Sequence, residues 1–197
     1  SSNLADGSHV LKIKAVDKVG NESGEVPFDA IAIDTTPPEV PGMPTTTSPT
    51  NSKQPVWTWA HIENAAGDLK QYNVYLDDVK MTAPVMMTTW PVAGAAITYE
   101  TPIELDHGLH VLAVTSVDNL DNESAKSTVG HVFVDREEPA EPEMDPVAEW
   151  SKPGDIRFTW PASSDDTAVQ YNFEYSLNGG VDWETPVTGL TGQSCVV

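Results

Sequence analysis

The chain has 197 residues, with 30 acidic and 10 basic side chains and a formal net charge of −20. This charge excludes a nucleic-acid partner, because so few basic groups could not neutralise a phosphate backbone, and it favours cations as ligands. No apolar run approaches the roughly 20 residues that span a bilayer, and the single cysteine cannot form an internal disulfide.

The sequence repeats itself after 101 residues. Residues 7–34 (GSHVLKIKAVDKVGNESGEVPFDAIAID) recur without a gap as residues 108–135 (GLHVLAVTSVDNLDNESAKSTVGHVFVD). Two shorter segments recur as well: PVWTWA (55–60) as IRFTWP (156–161), and QYNVY (71–75) as QYNFEY (170–175). A period near 100 residues is too long for a solenoid unit and has the size of a β-sandwich domain.

The repeat divides the chain into three parts. Residues 1–37 form the C-terminal part of one repeat, residues 38–138 a complete repeat, and residues 139–197 the N-terminal part of a third. The proline-rich stretches 34–44 and 135–146 are the linkers. Proline fixes the backbone and removes a hydrogen-bond donor, so these linkers are expected to be stiff.

Short alternating segments, rich in β-branched and aromatic residues and separated by turn signals, predict strands throughout. Seven strands are predicted in the complete repeat, over residues 43–49, 54–60, 70–77, 80–88, 95–100, 108–118 and 127–135. No stretch keeps a 3.6-residue period, so almost no helix is expected. The alternation places Trp57, Trp59, Tyr72, Leu112 and Val114 in the inner layer. The predicted fold class is all-β, with one complete and two partial seven-stranded sandwiches.

The residues that carry this pattern also carry a family resemblance. The segment that begins at Leu4 and ends at Pro38 resembles the tail of bacterial immunoglobulin-like repeats in giant surface adhesins, although Asp121 replaces the turn glycine Gly20 in the second copy. Both halves of the repeat also resemble fibronectin type III modules. The resemblance implies a non-enzymatic spacer or interaction module of a secreted or cell-surface bacterial adhesin, with adjacent repeats as its partners. The alternative is an accessory, glycan-binding module of an extracellular carbohydrate-active enzyme.

No catalytic residue is predicted, because the sequence holds no nucleophile beside a base, no carboxylate pair and no phosphate-binding loop. In the fibronectin-like pattern, His9 and His110 take the slot of a corner tyrosine that bonds back to the loop backbone. The sequons at Asn21 and Asn122 are explained by a hairpin turn without any sugar. Three tryptophans are less constrained and could either cover a sandwich edge or stack on a sugar: Trp90, Trp150 and Trp183.

Acidic residues gather where one repeat is expected to meet the next. The exit of one sandwich lies beside the entry loops of its neighbour, which brings Asp34 near the loops at 64–68 and 118–122. Ca²⁺ takes six to eight oxygen ligands and accepts irregular loops. The candidate calcium ligands are Asp6, Asp34, Asp68, Asp118, Asp121, Asn122 and Asp135. A second set at the next joint comprises Asp106, Asp135, Glu137, Asp165 and Asp166. The alternative is a solvated acidic surface.

The two partial repeats are predicted to expose complementary halves of a core. Leu11, Ile13, Ile31 and Ile33 form one half, and Phe158, Trp160, Tyr171 and Phe173 form the other. Since an open apolar sheet tends to associate, strand complementation between chains, head to tail, is one expectation. The other expectations are a hairpin packed on its own middle repeat, and a fragment of a longer ordered chain.

Overall fold

A computed structural model describes residues 4–62, 67–146 and 156–196 of the chain. The described chain divides into two compact units. The first unit consists of residues 1–48, 54–104 and 109–132, and the second of residues 49–53, 105–108 and 133–197. The predicted division into three parts at residues 37 and 138 stays a prediction.

The first unit begins with one long, irregular hairpin. Strand β1 (Gly7–His9) pairs with β4 (Ile31–Ile33), and β2 (Lys12–Ile13) pairs with β3 (Val26–Pro27), both antiparallel. A side chain closes the turn of this hairpin, because Asp17 Oδ1 accepts the backbone N–H groups of Val19 and Asn21 at 3.0 and 2.8 Å. The turn also needs a left-handed residue, which Gly20 supplies with φ 93°.

The complete repeat forms two antiparallel sheets. In the first, β5 (Val56–Ala60) pairs with β8 (Ala96–Glu100), and Thr45 bridges to Thr58 at the edge. The second has the order β10-β9-β6-β7, made by β6 (Leu69–Leu76), β7 (Val79–Lys80), β9 (Gly108–Asp118) and β10 (Gly130–Val134). The two sheets meet where Trp59 packs edge-to-face on Tyr72, with 5.7 Å between ring centroids. This strand order is that of an immunoglobulin-like sandwich and confirms the predicted fold class.

The predicted inner layer is confirmed. Trp57, Tyr72, Leu112 and Val114 are 0% exposed, and Trp59 is 3% exposed. Each of these residues lies at an alternate position of its strand, so burying one buries the whole set on the same face.

Two predicted strands are much shorter than expected. The predicted strand at 43–49 is reduced to the bridge between Thr45 and Thr58, and the one at 80–88 to β7 and a bridge between Val85 and Tyr72. Prolines at positions 44, 49 and 84 explain the loss, because a proline cannot donate to a strand ladder. The described ranges contain no helix, and so none that is long and apolar enough to cross a membrane.

The second unit contains two further strand pairs. Strand β11 (Arg157–Thr159) pairs with β14 (Ser194–Val196), and β12 (Tyr171–Tyr175) pairs with β13 (Glu184–Leu190). The expectation that Trp160 lies exposed is wrong. Its indole is 6% exposed and packs on Tyr171, with 5.3 Å between ring centroids. The pairing of β14 with β11 gives this unit a small core of its own, which the sequence pattern alone did not predict.

Candidate cation site and linker contacts

Three of the predicted calcium ligands converge in the first unit. Asp34 follows β4, Asp68 precedes β6, and Asp118 ends β9. One carboxylate oxygen from each lies within 4.8 Å of the others. We call these three residues the carboxylate cluster. Since Ca²⁺–oxygen distances are about 2.3–2.6 Å, oxygens at this spacing fit ligands of one hard cation.

Asp118 is held in place by the turn it begins. Its Oδ1 accepts the backbone N–H groups of Leu120 and Asn122, both at 2.8 Å, and its Oδ2 accepts the Asn122 amide at 2.8 Å. Burial opposes the charged form and tends to raise the pKa of Asp118, which is 1% exposed. The hydrogen bonds from Asn122 and Leu120 and the charge of Lys70 outweigh burial and lower this pKa. The cluster therefore contains one carboxylate that is fixed and ionised.

The remaining candidates are engaged elsewhere. Asp6 binds Thr35 and Thr36 through three hydrogen bonds of 2.8–3.1 Å, and these bonds lower its pKa. Asp121 pairs with Lys70 at 2.6 Å, and its φ of 66° shows that an aspartate fills the left-handed turn position of Gly20. Both residues lie outside the carboxylate cluster. In the predicted loop at 64–68, residues 64–66 lie outside the described residues.

Asn122 and Ser116 hold the linker that follows β4. The Asn122 amide donates to the backbone carbonyl of Asp34 at 3.1 Å, and the Ser116 hydroxyl donates to that of Glu39 at 2.6 Å. Both donors belong to the complete repeat. Both acceptors lie in the predicted linker 34–44, Asp34 before the complete repeat begins at residue 38 and Glu39 just after it. The linker is thus tied at two points, five residues apart, to the hairpin turn and the inner strand of the following repeat.

The second predicted set forms a different cluster. His107, Glu137 and Asp166 bring their ligand atoms within 4.8 Å of one another. Asp135 instead accepts the backbone N–H of Glu137 at 3.2 Å, and Asp165 accepts the Thr167 hydroxyl at 2.8 Å. The sequence interpretation did not consider His107 as part of this set. The repeat could have indicated His107, because His107 lies 101 residues after Asp6, which is one of the predicted calcium ligands.

His107 and Asp6 accept the same backbone hydrogen bond in their two copies of the repeat. The backbone N–H of Thr35 donates to Asp6, and that of its counterpart Arg136 donates to His107 Nδ1 at 3.2 Å. Because Nδ1 accepts this bond, the ring proton is on Nε2, which donates to Asp166 Oδ2 at 3.1 Å. The arrangement is a hydrogen-bonded cluster, and a metal ion at Nε2 would require the ring proton to move to Nδ1 and would break the bond from Arg136.

His9 and the sequon serines have the structural roles expected of them, whereas the corner role of His110 stays a prediction. His9 Nε2 bonds back to the Ala5 carbonyl at 2.7 Å, as a corner residue should, and His110 bonds to Asp77 at 2.8 Å. In both sequons the serine accepts a backbone N–H, Ser23 from Ala15 and Ser124 from Ser116, at 2.9 and 3.0 Å. These side chains therefore close the hairpin turn without a sugar.

Trp90 covers an edge of the sandwich. Its ring stacks on buried His61, with centroids 5.3 Å apart, and its indole N–H donates to the Leu69 carbonyl at 2.8 Å. Burial lowers the pKa of His61, whose Nδ1 lies 2.8 Å from the Tyr72 hydroxyl. Trp183 differs, since it is 61% exposed. Trp150 lies outside the described residues.

Comparisons with known proteins give similarity to solved structures alone. No protein family model matches the chain, and no curated protein matches it. The chain is similar to the FN1–FN3 domains of chicken CNTN1, at 12% identity and a TM-score of 0.39, over 96% of this chain and 64% of that one. It is also similar to fibronectin(III)-like modules of Clostridium thermocellum CbhA, at 18% identity and a TM-score of 0.38, over 66% of this chain and 64% of that one. The fold assignment rests on the strand order, and the adhesin context stays a prediction.

Proposed function

We propose that this chain is a non-enzymatic spacer, a piece of a stack of immunoglobulin-like modules in a large secreted or cell-surface bacterial adhesin. Its task is mechanical, because stacked sandwiches hold a distal binding region away from the cell. A spacer needs linkers that resist bending, and the observation that carries the proposal is the linker after β4. The Asn122 bond ties Asp34, which precedes the complete repeat, to the hairpin turn of that repeat, and the Ser116 bond holds Glu39 at the repeat's own start.

The repetition of local hydrogen bonds supports the same proposal. The Asp17–Asn21 turn recurs as the Asp118–Asn122 turn, each with the asparagine amide bonded to the aspartate at 2.8 Å. The tyrosine hydroxyls of β6 and β12 also act alike, since Tyr72 and Tyr171 each accept a backbone N–H from the preceding strand's loop, at 3.0 and 2.8 Å. The structural details repeat with the sequence, as expected of modules that serve as interchangeable links.

Replacing Asn122 by Ala should loosen the linker. The variant loses the bond to Asp34, and one such hydrogen bond contributes about 0.5–1.5 kcal/mol. Amide hydrogen exchange in residues 34–42 should therefore become several-fold faster. The matched control is Asn21→Ala, which removes the counterpart turn bond to Asp17 but touches no linker residue in the described structure. Equal exchange in this segment for both variants and the parent chain would contradict the spacer proposal.

We also propose that the carboxylate cluster binds Ca²⁺. Bound calcium would neutralise three carboxylates that repel one another and would cross-link the linker to Asp68, just before β6, and to Asp118, at the end of β9. A ligand that binds the folded state alone, at 100 times its dissociation constant, stabilises by about 2.7 kcal/mol. The melting temperature should accordingly rise with calcium concentration.

Thermal unfolding in millimolar calcium and in chelator tests this proposal. Asp34→Asn should abolish the calcium-dependent rise, because it removes one ligand charge without disturbing the Asp118 turn. Asp29→Asn removes the same charge from an exposed residue outside the cluster and should retain the rise. A melting temperature that is identical in calcium and in chelator would reject calcium binding, while leaving the spacer role in place.

The exposed side chain of Trp183 favours a second candidate function, glycan binding. An exposed indole can stack on a sugar, as the alternative role of a glycan-binding accessory module requires. Among the described residues, however, the exposed aromatic side chains are Phe28 in the first unit and Trp183 in the second, one in each unit. Polysaccharide binding that disappears in Trp183→Ala would favour this second function over the spacer.

A further inference from the structure

A pocket of about 370 Å³ lies beside Trp90, and all of its described lining residues belong to the complete repeat. The lining is mostly apolar, with Ile62, Leu69, Trp90 and Val92 among its members, and the described part of it contains no carboxylate, lysine or arginine. Pockets that take small molecules measure about 300–1,000 Å³ and combine apolar walls with a few placed polar groups. The size and lining of this pocket therefore fit one small, uncharged and mostly apolar molecule.

The aromatic wall of the pocket is held in place by its neighbours. Trp90 stacks on the ring of His61 and meets the ring of Tyr72 edge-to-face, with centroids 5.3 and 5.4 Å apart. Its indole N–H is already bonded to the Leu69 carbonyl at 2.8 Å. A wall that is fixed in advance loses little conformational freedom when a ligand binds, which favours affinity.

His61 provides a hydrogen-bond donor to this apolar lining. The Tyr72 hydroxyl accepts the backbone N–H of Ile62 at 3.0 Å, so its own proton is directed to His61 Nδ1, 2.8 Å away. In a neutral imidazole the other nitrogen, Nε2, then carries the ring proton. Nε2 makes no hydrogen bond within the described structure, although His61 is only 7% exposed. The pocket is thus lined by a nearly buried donor that lacks an acceptor.

The fold does not need a histidine at this position. The counterparts of His61 and Ile62, 101 residues later, are Ala162 and Ser163. There the Tyr171 hydroxyl accepts the Ser163 N–H at 2.8 Å, with alanine in place of the histidine. The bond between the tyrosine and the loop therefore forms with either residue, and the donor at Nε2 is a specific feature of the complete repeat.

We propose that this pocket binds a small uncharged aromatic molecule that carries one hydrogen-bond acceptor, such as an aromatic ketone. The ligand ring would pack against Trp90 and Leu69, and its oxygen would accept the proton of His61 Nε2. A sugar fits this pocket poorly, because each of its hydroxyls needs a partner when it is buried. An anion is disfavoured by the net charge of −20, and a cation would meet no carboxylate in the described lining. The inference is independent of the spacer role.

An NMR titration of the full chain with acetophenone tests the proposal. The indole signal of Trp90, assigned by its loss in Trp90→Phe, should shift in a saturable way with a dissociation constant of about 1 mM or below. The Nε2–H signal of His61 should move downfield as it bonds to the ketone oxygen. Toluene has the ring without the acceptor and should bind roughly two- to tenfold more weakly, the contribution of one hydrogen bond. Benzoate should not bind.

Two variants test the donor and the pocket separately. His61→Ala places the counterpart residue Ala162 at this position and should lose the preference for acetophenone over toluene. Ala93→Phe puts a large side chain at an exposed lining residue and should abolish saturable binding. The matched control is Ala96→Phe, which changes an exposed residue of β8 outside the described lining and should bind acetophenone as the parent chain does.

Three results would overturn the proposal. The first is a parent chain whose Trp90 signal shows no saturable shift with acetophenone. The second is equal binding of acetophenone by Ala93→Phe and Ala96→Phe, because the ligand would then lie elsewhere. The third is a preference for acetophenone over toluene that persists in His61→Ala, since the acceptor would then be read by another group.

Discussion

Gly130→Ala should lower the unfolding free energy of the complete repeat by about 3 kcal/mol, at the upper end of the usual cost of overpacking. A Cβ at this position would lie 2.0 Å from the Pro44 carbonyl oxygen and 2.9 Å from Trp57 Cζ3. Both neighbours are fully buried. The clash involves backbone, so β10 must move away from its neighbours for the methyl group to fit. Chemical denaturation of the purified chain measures the loss.

Gly42→Ala is the matched control for this substitution. A Cβ at Gly42 meets nothing within 4 Å, and the residue is exposed. The same change there should alter the unfolding free energy by no more than about 0.5 kcal/mol. Similar losses for Gly42→Ala and Gly130→Ala would show that the effect comes from glycine chemistry in general and not from the close approach of Pro44.

Leu112→Ala should cost about 2–5 kcal/mol of unfolding free energy, the usual range for emptying a packed leucine site. Leu112 is fully buried in β9, opposite Leu76 of β6. The repeat provides its own control, since Leu11 occupies the same slot and is 48% exposed. Leu11→Ala should therefore cost less than about 1 kcal/mol when measured at a concentration where the chain is monomeric.

Leu112→Ala must cost more unfolding free energy than Leu11→Ala if Leu112 is a core residue and Leu11 is not. If Leu11→Ala destabilised the monomer as much as Leu112→Ala, the N-terminal hairpin would be covered within its own chain.

Sequence alone predicted the fold because two strong signals coincide. Alternation at period two places Trp57, Trp59 and Val114 on one face of their strands, and the structure buries all three. The repeat adds a second reading of the strands in residues 55–60, 71–75 and 108–135, so an accidental pattern in one copy of these strands is corrected by the other. Strand ends were less predictable, because prolines at 44, 49 and 84 interrupt ladders that side-chain alternation suggests.

The candidate site was predicted in part. Asp34, Asp68 and Asp118 meet as expected, because the hairpin exit and the entry loops of the next repeat are fixed by strand order. Asp6 and Asp121 do not join them, since Thr35 and Thr36 bind the first and Lys70 the second. Which of these side chains bind one another depends on distances of a few ångströms, and the periodicity of the sequence does not predict such distances. His107 escaped notice because a histidine in an aspartate slot breaks the acidic pattern.

Gly130 has Asp29 as its counterpart 101 residues earlier, and this difference between the two copies matters for folding. In a chain of similar repeats, the last two strands of one repeat can pack on the first strands of the neighbouring repeat in place of that repeat's own last strands. Such misassembly is a characteristic failure of tandem domains. Asp29 would bring a side chain and a charge into the corner formed by Pro44 and Trp57, where even a methyl group does not fit. This difference at one position is therefore expected to disfavour entry of the first hairpin into the middle sandwich in place of β9 and β10.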